Sequence, residues 1–356
     1  MPPVIDAHVH LLSGTPGREY LPPRYRWDRV MHWAYGGNRP APWDRDPATL
    51  YPQQEVRSAD PDGTATVAAM DKAGVNAGVL IHADFGPSRG ELQPKGMEEM
   101  HQDYVNIAQR HPGRFYPFAG PDVRRPGSLD LVKAGLKDGR FKGLKVMPQV
   151  GYYASDRMLY PFYEACLEAD APVAICSNYE SSYSRAIYND PIYISDVVAD
   201  FPDLSVIIFH SGVPYDHWFD ICAAIGRVAL NVYLEFAGWL PGFVKKPWLT
   251  EEDIIRKLAK ARDTVGAHRM LMGSDGQFAH SPYGQRRTQG YVRDVQFYRE
   301  LPQRARKYGV TFSQEEVDLI MGLNMARVLK LVDMPEYTKR HKFGWKVLMP
   351  APRPVP

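Results

Sequence analysis

The chain predicts an α/β fold, a (β/α)8 TIM barrel, on three observations. Short apolar runs alternate with longer amphipathic stretches, so strands and helices follow one another in turn. Eight such β-then-α units occur in uninterrupted order, the pattern of a closed parallel barrel. No glycine-rich phosphate loop follows the first strand, which disfavours a doubly wound open sheet.

Taken in order, the apolar runs place strands at 4–8, 77–82, 114–120, 143–147, 173–176, 205–209, 232–236 and 270–272. Amphipathic patterns between them predict helices over 64–72, 95–111, 158–169, 192–200 and 251–265. The segment 11–60 is too long for a plain first loop, and is read as a lid inserted over the barrel mouth directly after strand one. Residues 313–331 read as an extra C-terminal helix, because Ser313 and Glu316 have the spacing of a capping box. One barrel domain therefore spans 1–331, including the lid insertion 11–60. Residues 332–356 form a C-terminal tail, proline-rich from Met349 onward.

Composition bounds the function. The 356 residues are 44% hydrophobic and 24% charged, a balance able to bury a large core. A formal net charge of +2 gives no case for a nucleic-acid partner. No stretch approaches the roughly 20 apolar residues that cross a bilayer. The N-terminus enters a strand at once, without the basic and apolar regions of a secretory signal. Three cysteines (Cys166, Cys176, Cys222) make no disulfide framework, so the expected compartment is the reducing cytoplasm.

The chemistry gathers at strand ends. His8 and His10 alternate on one strand and so share a face, where both can grip one ion. A later apolar run ends in Phe209-His210-Ser211-Gly212, and another leads into Gly273-Ser274-Asp275. In barrels of this kind the C-terminal strand ends carry catalysis, so His8, His10, His210 and Asp275 fall at one mouth. Imidazole nitrogen and carboxylate oxygen suit one divalent ion, zinc first and manganese as the alternative. Such an ion acidifies a water or polarises a substrate oxygen. Any one of these residues alone would read as a core histidine or a turn aspartate; the set of four reverses that reading.

The elements Ile5-Asp6-Ala7-His8-Val9-His10, Gly143-Leu144-Lys145-Val146, Phe201-Pro202-Asp203-Leu204 before His210, Gly273-Ser274-Asp275 and Asn324-Met325-Ala326-Arg327 resemble the amidohydrolase superfamily. The similar branch is the one containing aminocarboxymuconate-semialdehyde decarboxylase and related aromatic-acid decarboxylases and hydrolases. The resemblance implies that His8, His10 and Asp275 bind the ion, with His210 alongside as base or proton donor. It also implies a histidine at the end of strand five, where this chain has Cys176. A thiolate binds zinc well, so Cys176 stands as a candidate ligand. Two alternatives remain open: a ligand set without strand five, or a buried apolar Cys176 at a site that holds metal weakly or not at all. Lys145, which the branch carries beside a single metal, is expected to support the ligands or to face the substrate, with a strand-end lysine reaching out to water as the alternative.

The insertion holds Arg24-Tyr25-Arg26-Trp27, an arginine fork beside flat rings that suits a planar carboxylate. Arg24, Trp27, Asn178, Tyr179 and His280 are thus candidate substrate contacts, with a homodimer contact as another use of the insertion. His82 is read as a core histidine, and the facing of Glu235 is left open. The expected function is metal-dependent, non-oxidative decarboxylation of a small aromatic or unsaturated carboxylic acid, catalysed by His210 and Asp275. Hydrolysis of an amide, lactone or carbon–carbon bond on the same site is the alternative, and a metal-free ligand-binding barrel is the third reading.

Overall fold

The computed structural model describes residues 2–11, 20–35, 59–86, 94–179, 185–240 and 249–332. Much of the expected lid and nearly all of the expected tail lie outside the described residues.

Eight parallel strands appear in chain order: β1 (Ile5–His10), β2 (Ala77–Ile81), β3 (Phe115–Phe118), β4 (Leu144–Val146), β5 (Val173–Cys176), β6 (Val206–Phe209), β7 (Val232–Glu235) and β8 (Met270–Leu271). They pair as two arcs, β3-β2-β1 and β4-β5-β6-β7-β8. A parallel bridge between Ala119 and Leu144 joins the arcs on one side, where the Lys145 N–H donates to Ala119 O at 2.6 Å. On the other side the Ala7 N–H donates to Met272 O at 2.9 Å, just beyond β8. The two seams complete the ring, as the eight-unit pattern predicts. A short ninth strand, β9 (Gly276–Gln277), pairs with the top of β1 through Val9 and His10.

Alternation along the strands separates two cores. Ile5, Ala7, Val79, Ile81, Ala174, Ile207, Phe209 and Leu271 form the inner cluster, closed from the C-terminal helix by Met325, Ala326 and Leu329. Leu80, Leu144, Val146, Val206 and Ile208 belong to the larger cluster between strands and surrounding helices. The expected final helix is interrupted. Ser313 caps it with the predicted box, yet residues Leu319–Leu323 form a π turn before the helix resumes at Asn324–Val328. Gly322 lies in that turn, where an added Cβ would come within 1.9 Å of Pro3 O. The turn thus lets this segment close onto the start of β1.

One irregularity in β1 decides where the histidines point. Asp6 pairs with Gly78 and Val9 with Leu80, so three steps on β1 face two on β2. The extra residue flips the alternation. Ala7 stays in the inner cluster and Val9 packs outward, while the His8 ring stacks on inner Phe209 at 4.2 Å.

The insertion is visible at 20–35, with a helix at Pro23–Tyr35. Tyr20 packs near His82 and Tyr104, and Tyr25 stacks on Phe85 at 4.2 Å, so this segment covers the rim beside β2.

Candidate metal centre

Three donor atoms converge at the top of β1. His8 Nε2 and His10 Nε2 are 3.0 Å apart, and Asp275 Oδ1 lies 3.0 Å from His10 Nε2 and 3.5 Å from His8 Nε2. Donors bound at about 2.0–2.1 Å in a tetrahedron sit roughly 3.4 Å from each other, so this triangle has the right size for a small divalent ion. Proton placement agrees. His10 Nδ1 lies 2.7 Å from Ile81 O, an atom that only accepts, so this nitrogen carries the hydrogen and Nε2 presents a lone pair. Burial, reinforced by the charges of Lys145, His10 and His210, holds the His8 pKa well below its ordinary value and keeps the ring neutral. Burial alone would raise the Asp275 carboxyl. The contact with His10 at 3.0 Å, with His210 and the positive charge of Lys145 nearby, overrides it and holds the group below the usual carboxylate range. Two imidazole nitrogens and an ionised carboxylate meeting at one point could hold a cation.

Local stitching delivers Asp275 to this point. Asp6, fully buried, accepts from the N–H groups of His8 and Ser274 at 3.0 Å each. The Ser274 hydroxyl donates to His8 O at 3.2 Å and accepts from the Gly276 N–H at 3.0 Å. Between these anchors Asp275 takes a left-handed φ of 52°, and its side chain is 39% exposed, which opens the site toward the barrel mouth.

A second buried group adjoins the first. His210 and Glu235 lie with His8 close enough for their donor atoms to form another three-residue set. Glu235 Oε2 accepts the His210 N–H at 2.8 Å, Oε1 accepts the Ala237 N–H at 2.7 Å, and Oε2 lies 3.5 Å from His8 Nδ1. One imidazole cannot give both nitrogens to two ions without losing both protons, so this second set supports the first and does not hold an ion of its own. Burial pushes the Glu235 carboxyl up to about 8, against the two backbone N–H groups. His210 sits in a left-handed turn, φ 66° followed by 42° at Ser211, with Nδ1 3.3 Å from Ala237 O. Its Nε2 is thus a lone pair, and burial takes its pKa down to about 4.

Sequence reasoning left Glu235 open. The signal was a single charge inside Val232-Tyr233-Leu234-Glu235-Phe236, since an ionisable group this deep is rare without a partner. Gly273 makes room for it: an added Cβ would lie 1.8 Å from Glu235 Oε1 and 3.0 Å from the His8 Cβ. Gly273→Ala is expected to destabilise the fold by about 1–3 kcal/mol, as overpacking does, with a matching fall in the urea midpoint.

Cys176 ends β5 as expected, and among the described residues it completes neither ligand set. Burial pushes its thiol pKa up, opposed by the charge and hydrogen bond of Lys145, so the side chain pairs with a lysine and not with the histidines. Cys176→Ala is expected to leave zinc or manganese affinity unchanged in a chelator competition, where loss of a group that supports a ligand costs about 10–100-fold.

Lys145 reaches the centre. Its side chain is buried, its ammonium lies 4.1 Å over the Phe209 ring, and among the described residues no carboxylate lies within ion-pair distance of it. The remaining expected contacts have other neighbours among the described residues. Arg24 is exposed and ion-paired with Asp28 at 3.2 Å; Trp27 is exposed on the same helix. Asn178 is held by Asn189, and Tyr179 stacks on Tyr215. His280 is exposed at the rim, 3.1 Å from the Thr64 hydroxyl. These side chains meet protein neighbours because the strand-end loops fold on themselves, a local choice that residue type does not encode. His82 is a buried histidine, as read: Nδ1 faces Gly120 O at 2.9 Å and the ring stacks on His101 at 3.9 Å.

An eight-stranded parallel barrel whose C-terminal mouth gathers two histidines and an aspartate that could hold a cation has the arrangement of a metal-dependent barrel enzyme. The chain matches the amidohydrolase family over residues 5–331, and it belongs to that family. No curated protein matches it by sequence. Solved structures share the fold at low identity. Dihydroxybenzoic acid decarboxylase from a Polaromonas species, with bound manganese and 2-nitroresorcinol, superposes with a TM-score of 0.60 at 16% identity, over 93% of this chain and 98% of that one. For 5-carboxyvanillate decarboxylase from Sphingomonas paucimobilis the values are 0.59 and 16%, over 93% and 99%. For 4-oxalomesaconate hydratase from Rhodopseudomonas palustris they are 0.54 and 17%, over 92% and 95%. No helix among the described residues is long and apolar enough to cross a membrane.

Proposed function

We propose that this protein is a metal-dependent, non-oxidative decarboxylase of a small aromatic or unsaturated carboxylic acid. The observation that carries the reading is Lys145, a buried ammonium with no carboxylate within ion-pair distance among the described residues, beside the converged His8, His10 and Asp275. A buried cation without an ion-paired carboxylate is costly, and a bound substrate carboxylate relieves that cost. The decarboxylases that share this fold act on hydroxylated aromatic acids and add support of the same kind.

His8, His10 and Asp275 would hold one divalent ion, either zinc or manganese, both of which accept nitrogen and oxygen donors. When bound, the ion supplies positive charge that orients the substrate carboxylate or a neighbouring hydroxyl and stabilises charge developing beside it. Lys145 binds the anionic substrate over Phe209. His210, with Nδ1–H held toward Ala237 O, keeps Nε2 free to take and return a proton. As the carbon–carbon bond breaks, carbon dioxide leaves without its bonding pair. The ring carbon keeps that pair and receives a proton through His210 and Asp275.

The test is carbon dioxide release by zinc- or manganese-loaded protein from a panel of hydroxybenzoates and muconate-type acids. Release with at least one acid, abolished by a chelator, is the expected result. No release from any acid, alongside turnover of lactones or esters, would replace the reading with hydrolysis. No bound metal and no turnover would replace it with a ligand-binding barrel.

A further inference from the structure

Glu235 is, like Asp6, a fully buried acid beside the site, and its surroundings are built around it. Its residue is 0% exposed, and Gly273 on the neighbouring strand end has no Cβ where one would overlap Oε1. Its two oxygens take two backbone N–H groups and face the His8 ring, whose Nδ1 is buried without another hydrogen-bond partner. Oε1 takes the Ala237 N–H at 2.7 Å. Oε2 takes the His210 N–H at 2.8 Å and points at His8 Nδ1 from 3.5 Å. The turn it grips is strained, with left-handed φ at both His210 and Ser211, and is tied again by the Ser211 hydroxyl donating to Glu235 O at 2.8 Å. Trp239 Nε1 donates to His210 O at 2.8 Å and closes the turn from the other side.

We propose that Glu235 is a positioning residue that couples the metal ligand to the proton carrier. Through His8 Nδ1 it fixes the tautomer that leaves the Nε2 lone pair facing the ion. Through the backbone of His210 it sets where the second imidazole stands. The proposal rests on the reading that His8 ligates through Nε2. In its ionised form the carboxylate can serve all three contacts, because both oxygens then only accept. A glutamine cannot, because its NH2 group must face either a backbone N–H or the His8 Nδ1–H, donor against donor. Residues that hold a metal-bound histidine from behind raise its basicity and fix its ring, and losing them weakens metal binding by about 10–100-fold.

The experiment compares wild type with Glu235→Gln in zinc affinity, by chelator competition, and in the nitrogen-coupled proton spectrum of the zinc-loaded protein. The wild type is expected to hold one zinc per chain and to show an exchange-protected His8 Nδ1–H bonded to a carboxylate. The variant is expected to bind zinc about 10–100-fold more weakly and to lose that resonance. Zinc affinity in the variant equal to wild type overturns the proposal and leaves the metal site standing. A wild type that holds no zinc or manganese removes the ligand reading and the proposal with it. If Glu235→Gln does not fold, the wild-type spectrum decides alone: a zinc-loaded protein without a protected His8 Nδ1–H overturns it.

Discussion

Asp275→Asn is expected to lower kcat/KM by about 10²–10⁴-fold or more, the range for losing a group that handles the proton, with metal binding weakened in parallel. The carboxylate does two things at one atom. Its Oδ1 closes the triangle with the two Nε2 atoms at 3.0 and 3.5 Å, so an amide there removes the single negative charge of the ligand set. It is also the acid whose ionised form the contact with His10 and the charge of Lys145 favour. Asparagine matches the shape, and the side chain is partly exposed, so the fold should survive; unchanged circular dichroism and urea midpoint would confirm this. Near-normal turnover in the variant would remove Asp275 as ligand and as base.

His210→Asn separates the two halves of the site. His210 belongs to no set with His10 and Asp275, so the variant should hold its ion with wild-type affinity. Turnover should nonetheless fall by about 10²–10⁴-fold, because the free Nε2 that carries the proton is gone. Metal content by mass spectrometry and single-turnover carbon dioxide release, measured on one sample, check both parts. Joint loss of ion and activity would instead make His210 a ligand. The pH profile carries a sign. The folded-state pKa of His210 lies near 4, below its ordinary value, so the ring stays neutral throughout the range in which most proteins are assayed, and its base form is lost only as pH falls toward 4.

Much of this architecture was written in patterns that need no tertiary information. Eight apolar runs and their spacing are local, and so is the Ser313–Glu316 box; each appears where the residues put it. His8 and His10 share a face by alternation, and Asp275 follows an apolar run. What alternation alone missed is the extra residue in β1, which turns His8 inward beside Phe209 although Ala7 already points inward. A bulge is set by the partner strand's register, and nothing in the six residues of β1 announces it. Glu235 was unreadable for a related reason, since parity along Val232–Glu235 gives two faces without saying which one meets the axis. Cys176 stands at a strand end, as its place in the sequence implies, and Lys145 lies within its reach. Arg24 was chosen by type, but the aspartate one helical turn on satisfies it first.

The whole account turns on where a divalent ion sits. Anomalous diffraction from crystals grown with manganese or zinc, recorded on both sides of the metal edge, measures that position directly. The structure predicts one peak per chain, about 2.0–2.2 Å from His8 Nε2, His10 Nε2 and Asp275 Oδ1. A fully loaded crystal whose peak lies elsewhere, or that shows none at the top of β1, would contradict it.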